Sequence, residues 1–287
     1  MSITTRTGGF PVGFRRGGSA WQRDLSRALS WAKENKLSVI DLGRSLEDVG
    51  VAEDAGFRVG SVDLLEWQGL MSQDQAKRAE AVAKNAEYVS KCGARNYFYV
   101  ALPEKPEAKR TDNFALLVES LNGLAPALEE AGGRLAIEGW PGPGALCCTP
   151  ESYRAAFREC PSQSIAINYD PSHLVRMGID PIRFLKEFVG RVAHVHGKDT
   201  EVLADDLYEY GHEQPATFKP SPFCGEAAWR YTIPGQGVVP WGEAFRVLEA
   251  NGYKGTVCIE LEDRDYNAGE ASEKAGILAG AHFLSAC

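Results

Sequence analysis

Short apolar runs alternate along the chain with longer segments whose apolar residues recur at helical spacing. Eight of the runs are rich in valine, isoleucine, tyrosine and alanine and are bounded by glycine or polar residues, which is typical of strands buried in a parallel sheet. The predicted strands are Ile3–Thr7, Ser38–Leu42, Arg58–Leu64, Asn96–Leu102, Arg134–Glu138, Ser164–Tyr169, Val192–His196 and Thr256–Glu260. The predicted helices are Trp21–Asn35, Gln73–Cys92, Asn113–Glu130, Thr149–Glu159, Asp180–Phe188 and Trp241–Ala250.

This alternation predicts an α/β fold, and eight strands are the number that closes a (β/α)8 TIM barrel. The competing doubly wound sheet lacks its glycine-rich first turn here, because Gly235-Gln236-Gly237 comes late and has no third glycine. Residues 200–240 have no strong period and mix aromatic residues with prolines, which predicts a lid or a subunit contact. We therefore expect one domain over residues 1–287, with a long lid-like insertion after the seventh strand.

The composition is that of an acidic globular protein. Of the 287 residues, 44% are hydrophobic and 24% are charged, and the net charge is -8. These values exclude collagen-like and disordered chains, and the acid excess without a basic run argues against a nucleic-acid partner. The N-terminal residues lack the apolar region of a secretory signal, and no stretch is long enough to cross a bilayer. Seven cysteines without paired spacing are typical of reduced thiols, so we expect a cytoplasmic protein. The lack of a long apolar stretch makes a membrane partner unexpected.

Four consecutive late strands end in residues that can bind a metal or transfer a proton. The fifth ends at Glu138, the sixth is followed by Asp170, the seventh contains His194 and His196, and the eighth ends at Glu260. The carboxyl ends of barrel strands meet on one face, so we expect these side chains to converge. Three carboxylates held together repel one another, and a divalent cation is the simplest remedy. Oxygen donors with one imidazole suit Mn2+, Mg2+ or Co2+, with Zn2+ as a further alternative.

Each of these residues also has a structural interpretation. A glutamate at a strand end is commonly an ion-pair partner, Asp170 stands in an Asp-Pro-Ser sequence that favours a turn, and Asp199 is a candidate helix cap. His194 and His196 are two residues apart and face the same way, and we expect His194 to be a buried core histidine. The coincidence at four successive strand ends nevertheless favours a shared metal site.

Four motifs carry these residues, and a fifth, which contains Gly235-Gln236-Gly237, precedes the last of them. They are Ile137-Glu138, Tyr169-Asp170-Pro171-Ser172-His173, His194-Val195-His196-Gly197-Lys198-Asp199, Pro234-Gly235-Gln236-Gly237-Val238-Val239-Pro240-Trp241 and Gly255-Thr256-Val257-Cys258-Ile259-Glu260-Leu261-Glu262-Asp263. In this order and spacing they closely resemble the xylose-isomerase-like superfamily of TIM barrels, often described as sugar phosphate isomerases/epimerases. The N-terminal half matches only in its β/α rhythm, so the resemblance is specific for the superfamily and says little about the substrate.

The resemblance implies a role for each strand-end residue. It makes Glu138, Asp170, His196 and Glu260 the ligands of one divalent metal, with Mn2+ as the first expectation and no organic cofactor. His196 takes the ligand position because it is the second histidine of the H-x-H motif. Glu138 and Glu260 would also flank the substrate as general base and general acid.

Further residues of the motifs are implied to contact the substrate. His173 matches a residue that contacts substrate oxygen beside the metal, and Lys198 matches a lysine that holds a hydroxyl or protonates a leaving oxygen. Both are therefore candidate catalytic and substrate-binding residues, and Trp140 and Glu262 are candidate substrate-binding residues. Glu262 lies two residues after the last ligand and is expected to face the site, whereas Asp263 should point away.

The resemblance implies a divalent-metal-dependent sugar isomerase or epimerase, which transfers a proton next to a metal-polarised carbonyl through an enediolate. The alternative is a lyase, either a dehydratase or a keto-glycoside β-eliminase, that uses the same proton abstraction and then expels a substituent. The aromatic residues of segment 200–240 would suit a bulky aglycone, and a dimer contact explains them as well. A non-catalytic barrel would have lost ligands, and an AP endonuclease needs further histidines that the early strands lack, so both are weaker hypotheses.

Whether the substrate carries a phosphate stays open, because the chain has no glycine-rich phosphate cradle. Arg15, Arg16 and Arg264 are candidate phosphate contacts, although ion pairing is the simpler interpretation of each. The expected partner is a small-molecule sugar or keto-sugar. By resemblance we also expect a homodimer or homotetramer, with a hetero-oligomer as the alternative.

Overall fold

The apolar runs pair side by side in the order in which they occur and close into a barrel of eight parallel strands. The barrel strands are β1 (Val12–Arg15), β2 (Val39–Leu42), β3 (Arg58–Asp63), β4 (Asn96–Val100), β5 (Arg134–Glu138), β6 (Ile165–Tyr169), β7 (Val192–Gly197) and β11 (Val257–Ile259). Strand β1 closes the ring by pairing in parallel with both β2 and β11. The predicted (β/α)8 barrel is therefore confirmed in this computed structural model, which describes residues 2–213 and 215–287.

Helices follow the strands and cover the outside of the barrel. They are α1 (Ala20–Arg23), α2 (Leu25–Glu34), α3 (Leu46–Asp54), α4 (Gln75–Cys92), α5 (Arg110–Ala131), α6 (Pro150–Glu159), α7 (Pro171–Arg176), α8 (Pro181–Phe188), α9 (Ala204–Tyr210), α10 (Trp241–Ala250) and α11 (Glu270–Ser285). Local sequence explains several helix starts. Thr149 and Ser152 form a capping box before α6, and Pro150 occupies the first helical position, where its missing N–H costs no hydrogen bond.

The first predicted strand, Ile3–Thr7, is wrong. Within that segment only Thr4 makes an isolated antiparallel bridge, and the barrel strand is Val12–Arg15 instead. Gly13 has a packing reason for its place in this strand. A Cβ at Gly13 would lie 2.0 Å from the carbonyl oxygen of Val39, so only glycine allows β1 to pair with β2 at this point.

The helix predictions need two further corrections. The single helix expected over Trp21–Asn35 is two helices, because Asp24 leaves the helical conformation and its side chain caps α2 by accepting a hydrogen bond from the Arg27 N–H. Helices α3, α7, α9 and α11 were not predicted. Glycine and alanine interrupt the apolar spacing of α3 and α11, and α7 and α9 are only six and seven residues long.

Residues 200–240 lack a strong sequence period and yet contain regular structure. Strands β8 (Asp199–Val202), β9 (Gly225–Glu226) and β10 (Trp229–Thr232) form a small antiparallel sheet, and α9 lies between β8 and β9. The strands are two to four residues long, which is too short for an alternating pattern to stand out. Gln214 of this segment, and Met1 of the expected 1–287 domain, lie outside the described residues.

The buried apolar side chains form two separate clusters. The main core packs the outward side chains of the strands against the helices, whereas Ala136, Ala166 and Ala193 form a small cluster of their own. Since strand side chains alternate between faces, the residues between the core positions point into the barrel. Many of these inward residues are small or polar, which leaves the interior beneath the carboxyl ends of the strands suited to buried polar contacts.

In residues 2–213 and 215–287, no helix combines the length and the apolar character that a membrane crossing requires. All seven cysteines are free thiols, and five of them are buried.

Candidate active site

Four adjacent barrel strands bring four potential metal ligands to one point. Glu138 is the last residue of β5, Asp170 directly follows β6, His196 lies near the end of β7, and Glu260 directly follows β11. One donor atom from each residue lies within 4.8 Å of the donor atoms of the other three. The structure thus brings the four predicted ligands together at the carboxyl end of the barrel, where barrel enzymes place their reactive groups.

The geometry of this cluster suits a cation. Nδ1 of His196 lies 2.6 Å from Oε2 of Glu138 and 3.4 Å from Oε2 of Glu260. Neither ring nitrogen of His196 makes a hydrogen bond within the described residues, and the same is true of Oδ2 of Asp170. Buried polar atoms are nearly always paired in folded proteins, so Nδ1 of His196 and Oδ2 of Asp170, which face the cluster, are expected to have a further partner there. A divalent ion at their common focus would be such a partner.

Asp170 combines the two interpretations that its sequence left open. Its Oδ1 accepts hydrogen bonds from the N–H and the hydroxyl of Ser172, at 2.9 and 2.6 Å, and so caps helix α7. Its Oδ2 is directed elsewhere and lies 3.2 Å from Nζ of Lys198. The turn residue and the candidate ligand are therefore the same side chain, with one oxygen for each contact.

Lys198 is a buried cation of the site. It is 1% exposed, and its Nζ lies 2.5 Å from Oε2 of Glu260 and 2.9 Å from Oε2 of Glu262. Glu262 faces the site, as expected. Asp263 points away, where it accepts hydrogen bonds from the Thr232 hydroxyl and the Ile233 N–H.

His173 joins the ligand cluster to the segment that follows β7. Its Nε2 lies 3.3 Å from Oε1 of Glu138 and 3.4 Å from Nζ of Lys198. Its Nδ1 lies 2.6 Å from the hydroxyl of Tyr231 on β10, and that hydroxyl also accepts a hydrogen bond from Arg176. Segment 200–240 therefore contributes a polar group to the site itself.

Arg15 is the site residue that sequence reasoning undervalued. Its Nε lies 3.3 Å from Oε1 of Glu260, and Nη2 donates to Oδ1 of Asp63 at 2.8 Å. The guanidinium lies 4.1 Å from the ring centroid of Phe98, which in turn stacks on the imidazole of His196. The signal was available, because Arg15 ends a barrel strand, but that strand had been placed at Ile3–Thr7.

The other two arginines considered for phosphate binding make ion pairs. Arg16 lies 2.5 Å from Asp48, and Arg264 lies 3.5 Å from Asp265. Ion pairing, the simpler interpretation of all three arginines, is therefore confirmed.

Burial and charge act in opposite directions on the ionisable groups of the cluster. Burial lowers the pKa of His196, but the carboxylates of Glu260 and Glu138 outweigh burial and raise it well above the usual value. Burial also lowers the pKa of Lys198, whereas Asp170 and the glutamates around it raise that pKa further. For Glu260, burial raises the pKa, and the charges of Lys198 and His196 lower it well below the usual value. The site thus holds several opposite charges in close contact away from solvent.

Two more residues named from the sequence have clear positions. Trp140 lies on the loop two residues beyond Glu138 and is half-buried, and a Cβ at Gly142 would lie 1.9 Å from its ring. Its role in substrate binding stays a prediction. Asp199 accepts hydrogen bonds from the N–H groups of Gly235 and Val239 at 3.1 and 2.9 Å, so it anchors the loop before α10 and does not cap a helix.

His194 is fully buried and makes no contact with the four candidate ligands other than the edge-to-face packing of its ring on His196. Its Nε2 lies 2.8 Å from Oδ2 of Asp41. The expectation of a satisfied core histidine is confirmed.

Comparison with known sequences gives relatives of two kinds. The inosose dehydratase of Geobacillus thermodenitrificans is 25% identical over 205 residues, which are 67% of this chain and 66% of that protein. The uncharacterized protein YfiH of Bacillus subtilis is 32% identical over 133 residues, 46% of this chain and 41% of that protein. The matched part of the chain thus spans less than two thirds of the length of these curated relatives.

Solved structures show the same fold at lower identity. The 3-keto-D-glucoside 4-epimerase of E. coli superposes with a TM-score of 0.67 at 15% identity, over 97% of this chain and 100% of that chain. The IolI protein, whose structure contains a zinc atom, gives a TM-score of 0.67 at 17% identity over 96% of both chains. A family model described as xylose isomerase-like TIM barrel matches residues 28–287. Since that match covers most of the sequence, the chain belongs to the xylose isomerase-like TIM barrel family.

Proposed function

We propose that the protein is a divalent-metal-dependent sugar isomerase or epimerase that transfers a proton at the carbon next to a carbonyl group. The observation that carries the proposal is the convergence of Glu138, Asp170, His196 and Glu260 at the ends of four adjacent strands. Three carboxylates and one imidazole suit Mn2+, with Mg2+, Co2+ and Zn2+ as competitors. The names of the relatives, a dehydratase and an epimerase among them, support a sugar or keto-sugar substrate.

Two glutamates are placed to exchange a proton with the substrate. When bound, the metal would polarise the carbonyl and so acidify the adjacent C–H bond. Glu138 is held by the Asn168 amide, which donates to its Oε2 at 2.6 Å, and Glu260 is held between Arg15 and Lys198. One carboxylate removes the proton and the other returns it, and their fixed positions determine the face of the carbon from which each acts.

A second group of side chains can supply a proton or a hydrogen bond to substrate oxygen. Lys198, His173 and Tyr231 form a connected set, since Nζ of Lys198 lies 3.4 Å from Nε2 of His173, and Nδ1 of His173 lies 2.6 Å from the Tyr231 hydroxyl. Hydrogen-bond donors in a buried site stabilise the negative charge that develops on oxygen during the reaction.

Elimination is the second candidate function. After the same proton abstraction, expulsion of a substituent next to the carbanion would make the protein a lyase. Two observations favour it: curated relatives are named inosose dehydratase, and the connected donors Lys198 and His173 can protonate a departing oxygen. The two candidate reactions share the proton abstraction. They differ in the second step, because the isomerase or epimerase returns a proton to the substrate and the lyase expels a substituent.

The deciding experiment is incubation of the metal-loaded protein in D2O with ketoses, keto-inositols and 3-keto-glycosides, followed by NMR and mass spectrometry of the products. Deuterium in an isomeric product supports the isomerase or epimerase. An unsaturated product or a released fragment supports the lyase. Absence of exchange and of product with every substrate, in protein shown to contain metal, contradicts both.

The acid–base role of Glu260 is tested in the same assay. Glu260→Gln should reduce the exchange rate by about 10²- to 10⁴-fold, the usual contribution of a positioned acid or base. The matched control is Glu243→Gln, because Glu243 is a half-exposed glutamate that pairs with Lys186 on the outside of the barrel. Full exchange activity in Glu260→Gln would show that Glu260 has no acid–base role.

A further inference from the structure

A second buried polar group lies in the barrel interior, one layer nearer to the amino ends of the strands than the four candidate ligands. It consists of Asp41 on β2, His194 on β7 and Cys258 on β11, all of them fully buried. His194 and Cys258 each lie two residues before a candidate ligand, so they point to the same face of their strands as His196 and Glu260. The group therefore lies directly beneath the candidate metal centre.

One oxygen of Asp41 faces two imidazoles. Oδ2 of Asp41 lies 2.8 Å from Nε2 of His194 and 3.4 Å from Nε2 of His196. On the opposite side of the His194 ring, Nδ1 lies 3.3 Å from the hydroxyl of Thr256. A carboxylate oxygen only accepts hydrogen bonds, so the 2.8 Å contact requires the hydrogen of His194 to be on Nε2. The 3.4 Å contact is not a hydrogen bond, but it puts the carboxylate on the Nε2 side of the His196 ring, which favours a hydrogen on that nitrogen.

This arrangement fixes which nitrogen of His196 is available to a metal. With its hydrogen on Nε2 and directed at Asp41, His196 presents the lone pair of Nδ1 to the opposite side. Nδ1 is also the ring nitrogen that lies next to Glu138 and Glu260, at 2.6 and 3.4 Å.

The backbone is irregular where this group is placed. Between paired positions of β2 and β3, Ile40 to Leu42 spans two steps and Val59 to Val62 spans three, so β3 carries an extra residue opposite Asp41. Strand β7 carries an extra residue, Ala193, immediately before His194. Bulges of this kind commonly occur beside active sites, where they redirect a side chain.

Gly60, in the irregular part of β3, provides the space for the contact. A Cβ at Gly60 would lie 2.4 Å from Oδ1 of Asp41 and 2.8 Å from Cε1 of His194. Any larger residue would displace the carboxylate from the two imidazoles.

We propose that Asp41 is a positioning residue for the metal centre, where its carboxylate orients His196 so that Nδ1 faces the ion, while His194 holds the carboxylate from the opposite side. This inference rests on the proposed metal site. A carboxylate behind a metal-bound histidine fixes the ring orientation and strengthens the ligand, and loss of such a partner typically weakens metal binding. Cys258 lies in the same layer, with its Sγ within 4.8 Å of the donor atoms of Asp41 and His194, and its replacement by alanine leaves the Asp41 carboxylate in place, so it provides the control.

The test is the Zn2+ dissociation constant of purified wild type, Asp41→Asn and Cys258→Ala, measured by competition with a chromogenic chelator. Asp41→Asn should bind Zn2+ about 10- to 100-fold more weakly, and Cys258→Ala should bind like wild type. Equal affinity in Asp41→Asn would overturn the inference. Wild type that binds no Zn2+ would instead overturn the proposed metal site. Two ions per wild-type chain, with one lost in Asp41→Asn, would show that Asp41 is itself a ligand and would also overturn the positioning role.

A measurement on wild type keeps the inference testable if Asp41→Asn does not fold. Long-range ¹H–¹⁵N NMR of the Zn2+-loaded protein reports the tautomer of each histidine, and the chain has only five. His196 should show a hydrogen on Nε2 and zinc at Nδ1, and His194 should show a hydrogen on Nε2. Zinc at Nε2 of His196, or a hydrogen on Nδ1 of His194, would contradict the arrangement.

Discussion

Asp170 shows how one side chain satisfies both a folding requirement and a chemical one. Its Oδ1 caps α7 through Ser172, and its Oδ2 faces the candidate metal position and Lys198. An Asp-Pro-Ser sequence after a strand predicts the first role without excluding the second, because a carboxylate has two oxygens. The two interpretations weighed for Asp170 are therefore compatible.

The two roles of Asp170 can be separated by Asp170→Asn. Asparagine caps a helix about as well as aspartate, so the unfolding free energy of the metal-free protein should change by less than about 1 kcal/mol. Metal affinity should fall by about 100-fold or more, because a charged ligand is lost. Even the loss of a residue that only hydrogen-bonds to a metal ligand commonly lowers metal affinity by about 10- to 100-fold. Chemical denaturation and metal competition measure the two effects.

Asp180→Asn is the matched control. Asp180 caps α8 through the N–H groups of Ile182 and Arg183 and also precedes a proline, but it lies away from the four ligands. It should leave metal affinity unchanged. Comparable loss of metal affinity in both variants would mean that helix capping, rather than ligation, explains the effect at Asp170.

At the scale of elements, strand β10 is the unexpected contributor to the site. Its Tyr231 is 3% exposed and lies between His173 and Arg176, although it comes from a segment without a recognisable sequence period. We propose that residues 200–240 belong to the active site, in line with the lid-like role expected from the sequence. A lid that only covered the site would not need a buried hydroxyl group in contact with His173.

Tyr231→Phe tests this contribution. Loss of the hydroxyl leaves Nδ1 of His173 without its partner, and the turnover number for the best substrate of the exchange assay should fall by about 10- to 100-fold, as expected for a lost buried hydrogen bond. Metal affinity should not change, because the hydroxyl of Tyr231 makes its hydrogen bonds with His173 and Arg176 and with none of the four candidate ligands. Tyr208→Phe, at a tyrosine of the same segment that is 91% exposed, should behave like wild type. Wild-type turnover in Tyr231→Phe would restrict segment 200–240 to a structural role.

Elements also differ in how well the sequence predicts them. Strands such as Arg134–Glu138 are found at their predicted bounds because a buried parallel strand is a continuous apolar run. Strand β1 was misplaced because it is only four residues long and contains Gly13. Glycine is needed there for the close approach to Val39, a residue distant in sequence. The contact of Arg15 with Glu260 was missed as a consequence. A single sequence contains no signal for such tertiary contacts.

At the scale of the molecule, strand count was enough to predict the barrel, and strand-end chemistry was enough to predict where the candidate ligands converge, whereas the choice of His196 over His194 came from the family resemblance. What the sequence could not show is the layer beneath that cluster. Asp41 lies inside an ordinary apolar strand, and its partners come from strands distant in sequence. The inward-facing side chains of β2 and β7 meet only when the barrel is closed, so the contact between Asp41 and the histidines depends on the whole fold.

The oligomeric state, the cytoplasmic location and the choice of metal stay predictions. Tyr208, Phe218 and Phe223 are exposed aromatic residues of segment 200–240 and are the surface on which we expect a second copy of the chain to pack.

The central claim is that Glu138, Asp170, His196 and Glu260 hold one divalent ion at the carboxyl end of the barrel. Anomalous X-ray scattering at the manganese edge, from crystals grown with Mn2+, tests it most directly. The account predicts one strong anomalous peak per chain, within bonding distance of all four side chains and on the Nδ1 side of His196. A fully occupied peak elsewhere, or no peak among these four residues at millimolar Mn2+, would contradict it.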